Sequence, residues 1–173
     1  MNISTDTRVP FPRQLVYTTY RDKLTELIRY IPDIRYIEVK ARREDNGLIH
    51  TVNEWHGGGE IPLAARAILS EDMLSWVEYN TWNESQFTLE WRLETRTFTD
   101  AVHCAGKNSF IEDGNTTKIQ SRGELKIDPN KIQGAPSFIV GQIATVVEEF
   151  LVGRITPSLL QISEGLRKYL EQT

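Results

Sequence analysis

The chain has 173 residues, enough to bury a hydrophobic core without a disulfide or metal to staple it. Its 20 basic and 24 acidic residues leave a formal charge of -4 and are interspersed along the chain, which excludes a phosphate-tracking stripe and argues against nucleic acid as a partner. Cys104 is the one cysteine, so there is no internal disulfide; with three histidines it falls short of a structural zinc set, and neither metal nor cofactor is expected.

The opening residues, Met1 to Asp6, have no basic stretch followed by an apolar one, and no run of about 18 apolar residues occurs anywhere. The expectation is a cytoplasmic protein with no integral membrane segment. The glycosylation sequons at Asn2, Asn83 and Asn115 then read as chance.

In chain order, Ile3 to Val9 forms a first short strand, and Pro12 suits a first helical position. Between Arg13 and Ile31 the residues Leu15, Val16, Leu24, Leu27, Ile28 and Ile31 recur at helical spacing, with Asp22 placed to cap a second helix, so two short helices are predicted. Pro32 ends them. From Ile34 the texture turns to period two, and Glu44-Asp45-Asn46-Gly47 marks a hairpin before a strand over Leu48 to Trp55. Further strands are predicted over Ala64 to Leu69, Leu74 to Trp82, Phe87 to Thr97, Ala101 to Ile111 and Thr116 to Ile127, giving an antiparallel sheet of about seven strands.

Phe87, Leu89, Trp91 and Leu93 alternate with Thr88, Glu90, Arg92 and Glu94, so this sheet has one wet face and one covered face. The cover is the C-terminal segment. There Ile139, Ile143, Val147 and Phe150, then Leu159, Ile162, Leu166 and Leu170, form apolar stripes at helical spacing. A straight helix of that length would overhang a compact chain, and Gly153 and Pro157 lie between the stripes, so a kink or short interruption is predicted there.

This order of elements, and the passage Val16 to Val39 with Asp22 between two helices and Pro32 leading into Ile34-Arg35-Tyr36-Ile37-Glu38-Val39, resembles the START-like (SRPBCC, helix-grip) superfamily of lipid-transport and polyketide cyclase type. The resemblance covers nearly all of 1–173 and implies one α+β domain, a curved antiparallel sheet wrapped around a long C-terminal helix, with a cavity between them for a hydrophobic small molecule. It implies no particular activity, because one fold hosts many functions.

Ligand-binding candidates on the inner face are Trp55, Phe87, Leu89, Trp91, Leu93 and Phe110 on strands and Val147 and Phe150 on the helix, although such residues also build ordinary cores. The hairpin register decides which polar groups join them. A two-residue turn at Asn46-Gly47 would put Glu54 and His56 on the face of Ile37 and Val39, where a carboxyl and an imidazole could exchange protons; a three-residue loop would put Trp55 and Asn53 there instead. Burying an aromatic and exposing a charge costs less, which favours Trp55 inward and leaves Glu54 and His56 as weak catalytic candidates.

Other combinations carry less. His50, Glu54 and His56 lie too far apart along one strand to share a metal, and Cys104 points opposite to its neighbour His103 and reads as small core filler. Gly57-Gly58-Gly59 lacks the lysine and hydroxyl residue of a nucleotide loop and reads as a link at a strand end; on the strand over Leu74 to Trp82, Trp76 and Trp82 share one face and Tyr79 takes the other. Three functions fit: a carrier or sensor of a lipid-, quinone- or polyketide-like molecule, a cyclase- or dehydratase-type enzyme, and a protein-interaction module with a filled core.

Overall fold

The structure, a computed structural model, describes residues 1–61, 63, 66 and 74–173. Seven strands, β1 (Asn2–Val9), β2 (Ile34–Asp45), β3 (Leu48–Gly57), β4 (Ser75–Asn83), β5 (Thr88–Thr95), β6 (Val102–Asp113) and β7 (Thr116–Ile127), form one curved antiparallel sheet in the order β1-β7-β6-β5-β4-β3-β2. From β1 the chain crosses to the far edge through α1 (Arg13–Asp22), α2 (Leu24–Leu27) and a 3₁₀ turn, then returns strand by strand. The C-terminal helix α3 (Val140–Glu171) lies against the concave face. The architecture is α+β, in helix-grip form. The strand expected over 64–69 lies outside the described residues.

The β2–β3 hairpin resolves the register in a way that neither simple alternative contains. Asn46 and Gly47, both at positive φ, make a two-residue turn, and Asp45 pairs with Leu48. Lys40 is then skipped: Ala41 pairs with Val52 but Val39 with Asn53, so one extra residue on β2 shifts the register by one. Beyond that bulge Ile37 lies opposite Trp55, which points inward and is 2% exposed, while Glu54 and His56 face outward. A tight turn favoured locally and an inward tryptophan favoured by burial are both kept, at the cost of one unpaired residue. Gly47 has φ +79, so Gly47→Ala is expected to destabilise by about 1 kcal/mol, read as a lower urea midpoint with unchanged slope.

Other local expectations are corrected. Asp22 does not cap the second helix; it ends α1, and its carboxylate binds Arg21 and Arg42, while Lys23 stands at the junction. Phe87 is not a strand residue, because the chain turns there with φ +51 and its ring packs on Tyr17 and under the Arg13 guanidinium. No interruption occurs between Gly153 and Pro157. Helix α3 runs unbroken for 32 residues, about 48 Å at ~1.5 Å per residue. Pro157 removes one ladder bond at a cost of about 3 kcal/mol. Anchors on both sides, Val147 and Leu151 before it and Ile162 and Leu166 after it, are buried and keep both halves of the helix packed.

Beneath α1 the core is solid. The Tyr17 ring meets Trp82, Phe87 and Phe110 edge-on at 5.4, 5.3 and 5.0 Å, and its hydroxyl donates to the Thr88 carbonyl at 3.0 Å. Leu89 and Phe110 belong to this packed end, and Val147 of α3 is likewise buried, whereas the other end of the sheet is not filled.

Candidate functional site

Between the middle of α3 and strands β3 to β6 lies a pocket of about 90 Å³. Its walls are mostly aromatic and aliphatic: Trp55, Trp76 and Trp91 from three adjacent strands, Leu93, and Leu151, Leu159 and Ile162 from the helix. Trp55 and Trp76 stack with ring centres 5.6 Å apart and planes at 11°. Gly57 permits this end to close, because a Cβ there would stand 2.6 Å from the Leu74 carbonyl.

Beside the pocket, polar contacts tie α3 to residues 33, 58 and 60. Arg154 donates to the Gly58 and Glu60 carbonyls at 2.9 and 3.1 Å, the Gly58 amide to the Asp33 carbonyl at 2.8 Å, and Gln161 to the Asp33 carboxylate at 2.9 Å. Gly57 thus lines the pocket, while Gly58 and Gly59 lie against Arg154, another of its lining residues.

One acid lies inside. Glu78 of β4, only 8% exposed, borders the pocket, and its Oε2 accepts from Trp55 Nε1 at 2.9 Å, Asn80 Nδ2 at 2.9 Å and Asn53 Nδ2 at 3.3 Å. Burial raises its pKa, and those three hydrogen bonds lower it; burial prevails, so the acid is held above the ordinary carboxyl range. Tyr20 of α1 reaches the same pocket, its phenol pushed up by burial and then by the Glu78 charge. Cys104 lines the wall as an uncharged thiol, pushed up to about 12 by burial. A buried carboxyl and a phenol beside apolar walls can orient a polar atom of a bound molecule and exchange a proton with it.

Of the residues picked from sequence, Trp55, Trp91 and Leu93 line this pocket. Leu89, Phe110 and Val147 are packed in the core, Phe150 lies half-buried beneath Arg154, and Phe87 sits in its turn; none of these five borders the pocket. Glu78 and Tyr20 were passed over. The signal for Glu78 was present: in β4 it stands between Trp76 and Trp82, two residues from one and four from the other, hence on their face.

Glu54 and His56 gather on the opposite, convex face. His56 Nε2 and Glu54 Oε1 are 2.7 Å apart, Ser75 Oγ is 3.2 Å from His56 Nδ1, and Tyr36 stacks on the imidazole at 4.1 Å. Partial burial acts to raise the Glu54 pKa, but His56, Arg96 and Lys40 together bring it below the ordinary value. Glu38 joins across the sheet, and among the described residues Glu38, Glu54 and His56 bring their ligand atoms within 4.8 Å of one another. Lys40 contacts Glu38 at 2.9 Å and Arg96 contacts Glu54 at 2.7 Å, so both carboxylates are already neutralised and a cation would have to displace these partners. The group is a solvent-side charge network with no access to the pocket.

No described helix is long and apolar enough to cross a membrane. The fold is that of START-like proteins, and it is shared with solved structures of low sequence identity. The Zhui aromatase/cyclase from Streptomyces sp. R1128 is similar with a TM-score of 0.66 at 14% identity, over 98% of this chain and 95% of that one. Norcoclaurine synthase from Thalictrum flavum is similar with a TM-score of 0.63 at 15% identity, over 100% of this chain and 87% of that one. A START superfamily protein from Mycobacterium smegmatis is similar with a TM-score of 0.52 at 12% identity, over 99% and 97%. No protein-family model and no curated sequence matches the chain.

Proposed function

We propose that the protein binds a small hydrophobic molecule between the sheet and α3, with the tryptophan walls taking its apolar body and Glu78 its polar group. The observation that carries this reading is an aromatic-lined pocket bordered by one buried acid, whose three hydrogen bonds all fall on one oxygen. At about 90 Å³ the pocket lies well below the ~300–1,000 Å³ of usual ligand sites. The occupant is therefore about one ring in size, or it enters by parting α3 from residues 58–60, where the Arg154 contacts hold it. A filled core, which the interaction-module reading needs, is at odds with this space.

A cyclase- or dehydratase-type activity is the second reading, favoured by the pairing of Glu78 with Tyr20 in the pocket. It moves the proton-transfer role from Glu54 and His56, which face outward, to the buried acid. Two of the similar structures are named for enzymes of ring-forming or synthase type, in keeping with it.

Native mass spectrometry of the protein as isolated from cells, followed by organic extraction, tests the binding reading. The expected result is an apolar compound of defined mass, lost after Trp91→Ala. No adduct, with no uptake from a panel of lipids, quinones and one-ring aromatics, would overturn it in favour of the interaction module.

A further inference from the structure

The Glu78 carboxyl is held unequally. All three of its hydrogen bonds fall on Oε2, while Oε1 has none among the described residues, and the residue borders the pocket. An oxygen accepting three N–H bonds has no lone pair free to carry a proton, so a proton on this carboxyl resides on Oε1.

The surroundings favour such a proton. From α1 the pocket receives the Tyr20 phenol and from β6 the Cys104 thiol, both kept uncharged by burial. The inner face of β3 presents Asn53 and Trp55, and β5 presents Trp91, Leu93 and Thr95. Beside the pocket, the Arg154 guanidinium of α3 is spent on two backbone carbonyls and Asp33 on Gln161. Among the described residues no cation is placed to compensate an ionised Glu78, and burial raises its pKa.

We propose that Glu78 meets its ligand as an uncharged acid, with Oε1–H donating a hydrogen bond to a carbonyl or similarly uncharged oxygen on an otherwise apolar molecule. This rests on the pocket being a ligand site. It gives the occupant a chemistry: a ketone, aldehyde, ester or quinone rather than an amine. It also makes glutamine a faithful mimic of the resting state. The three donors dictate that the Gln oxygen takes the Oε2 position, which leaves its Nε2–H₂ where Oε1–H was, still a donor into the pocket.

Three matched probes, acetophenone, ethylbenzene and 1-phenylethylamine, titrated calorimetrically into wild type and Glu78→Gln across about pH 5 to 9, decide the matter. The expected result is acetophenone about tenfold tighter than ethylbenzene at the acid end, a preference that wild type loses as pH rises and Glu78→Gln keeps throughout. Amine binding tighter than ketone in wild type, and abolished by Glu78→Gln, would overturn the proposal by showing an ionised carboxylate. Equal binding of acetophenone and ethylbenzene would overturn it while leaving the pocket a ligand site. Failure of all three to bind removes the ligand site itself and the proposal with it. An infrared carboxylic-acid band near neutral pH in the free protein, absent from Glu78→Gln, is the ligand-independent check, and its absence also overturns the proposal.

Discussion

Gly106→Ala is expected to destabilise the protein by about 3 kcal/mol, from overpacking together with a lost buried hydrogen bond. Gly106 of β6 and Gly123 of β7 are directly paired, and the Trp91 indole from β5 lies across both. A Cβ at Gly106 would stand 2.3 Å from Trp91 Cζ2 and 2.6 Å from the Arg122 carbonyl; one at Gly123 would stand 2.8 Å from Trp91 Cη2 and 2.7 Å from the Ala105 carbonyl. The indole has little room to yield, because its Nε1–H donates to buried Asn108 Oδ1 at 3.0 Å and the ring forms part of the pocket wall. Urea unfolding reads the loss directly. In a Trp91→Leu background the same substitution should cost less, since the ring it strikes is gone and only the contact with the Arg122 carbonyl remains. Gly141→Ala on α3, where a methyl group meets nothing within 4 Å, is the control, expected to be neutral or stabilising by up to about 1 kcal/mol. A Gly106→Ala protein as stable as wild type would disprove the flat packing of Trp91.

The second large effect lies in pH. Glu78 has a folded-state pKa raised above its unfolded value of 4.5, so the folded form holds this proton more tightly than the unfolded chain does. Its contribution to stability is fully present below pH 4.5 and is lost as pH rises from there through the folded value. Over that window wild type should lose stability relative to Glu78→Gln at about 1.4 kcal/mol per pH unit, and above it the gap should level off. Denaturant unfolding of both proteins at a series of pH values isolates the single group, because every other titration cancels in the difference. A flat difference, or one growing towards acid pH, would mean that folding does not raise the pKa of this carboxyl.

These two predictions concern residues of different visibility in the chain. Strand faces were legible because alternation needs only local spacing: Leu89, Trp91 and Leu93 inward, Glu90 and Arg92 outward. The same rule placed Glu78 with Trp76 and Trp82, yet a charge on an inward face conflicts with burial cost, and only partners supplied by a neighbouring strand resolve the conflict. Asn53 and Trp55 are more than 20 residues away in the chain, and nothing in the pattern announces that their N–H groups converge on one oxygen. Likewise, period two marks Leu89, Trp91 and Phe110 equally. Which of them packs solid and which borders a space depends on where α1 fills the sheet's concavity.

The sequence by itself determined the α+β class, an antiparallel sheet of about seven strands and the long apolar C-terminal helix, all set by short-range periodicity and backbone preference. The tertiary structure alone decided that a two-residue turn at Asn46-Gly47 coexists with an inward Trp55 through a bulge at Lys40, that α3 passes unbroken through Pro157 and that Glu78 is a buried acid with three hydrogen bonds on one oxygen. The physical reason is common to the three. Each places a local preference against a distant one, turn against tryptophan burial, proline against helix anchoring, ionisation against desolvation, and the outcome is set by contacts that form only when the sheet closes around the helix.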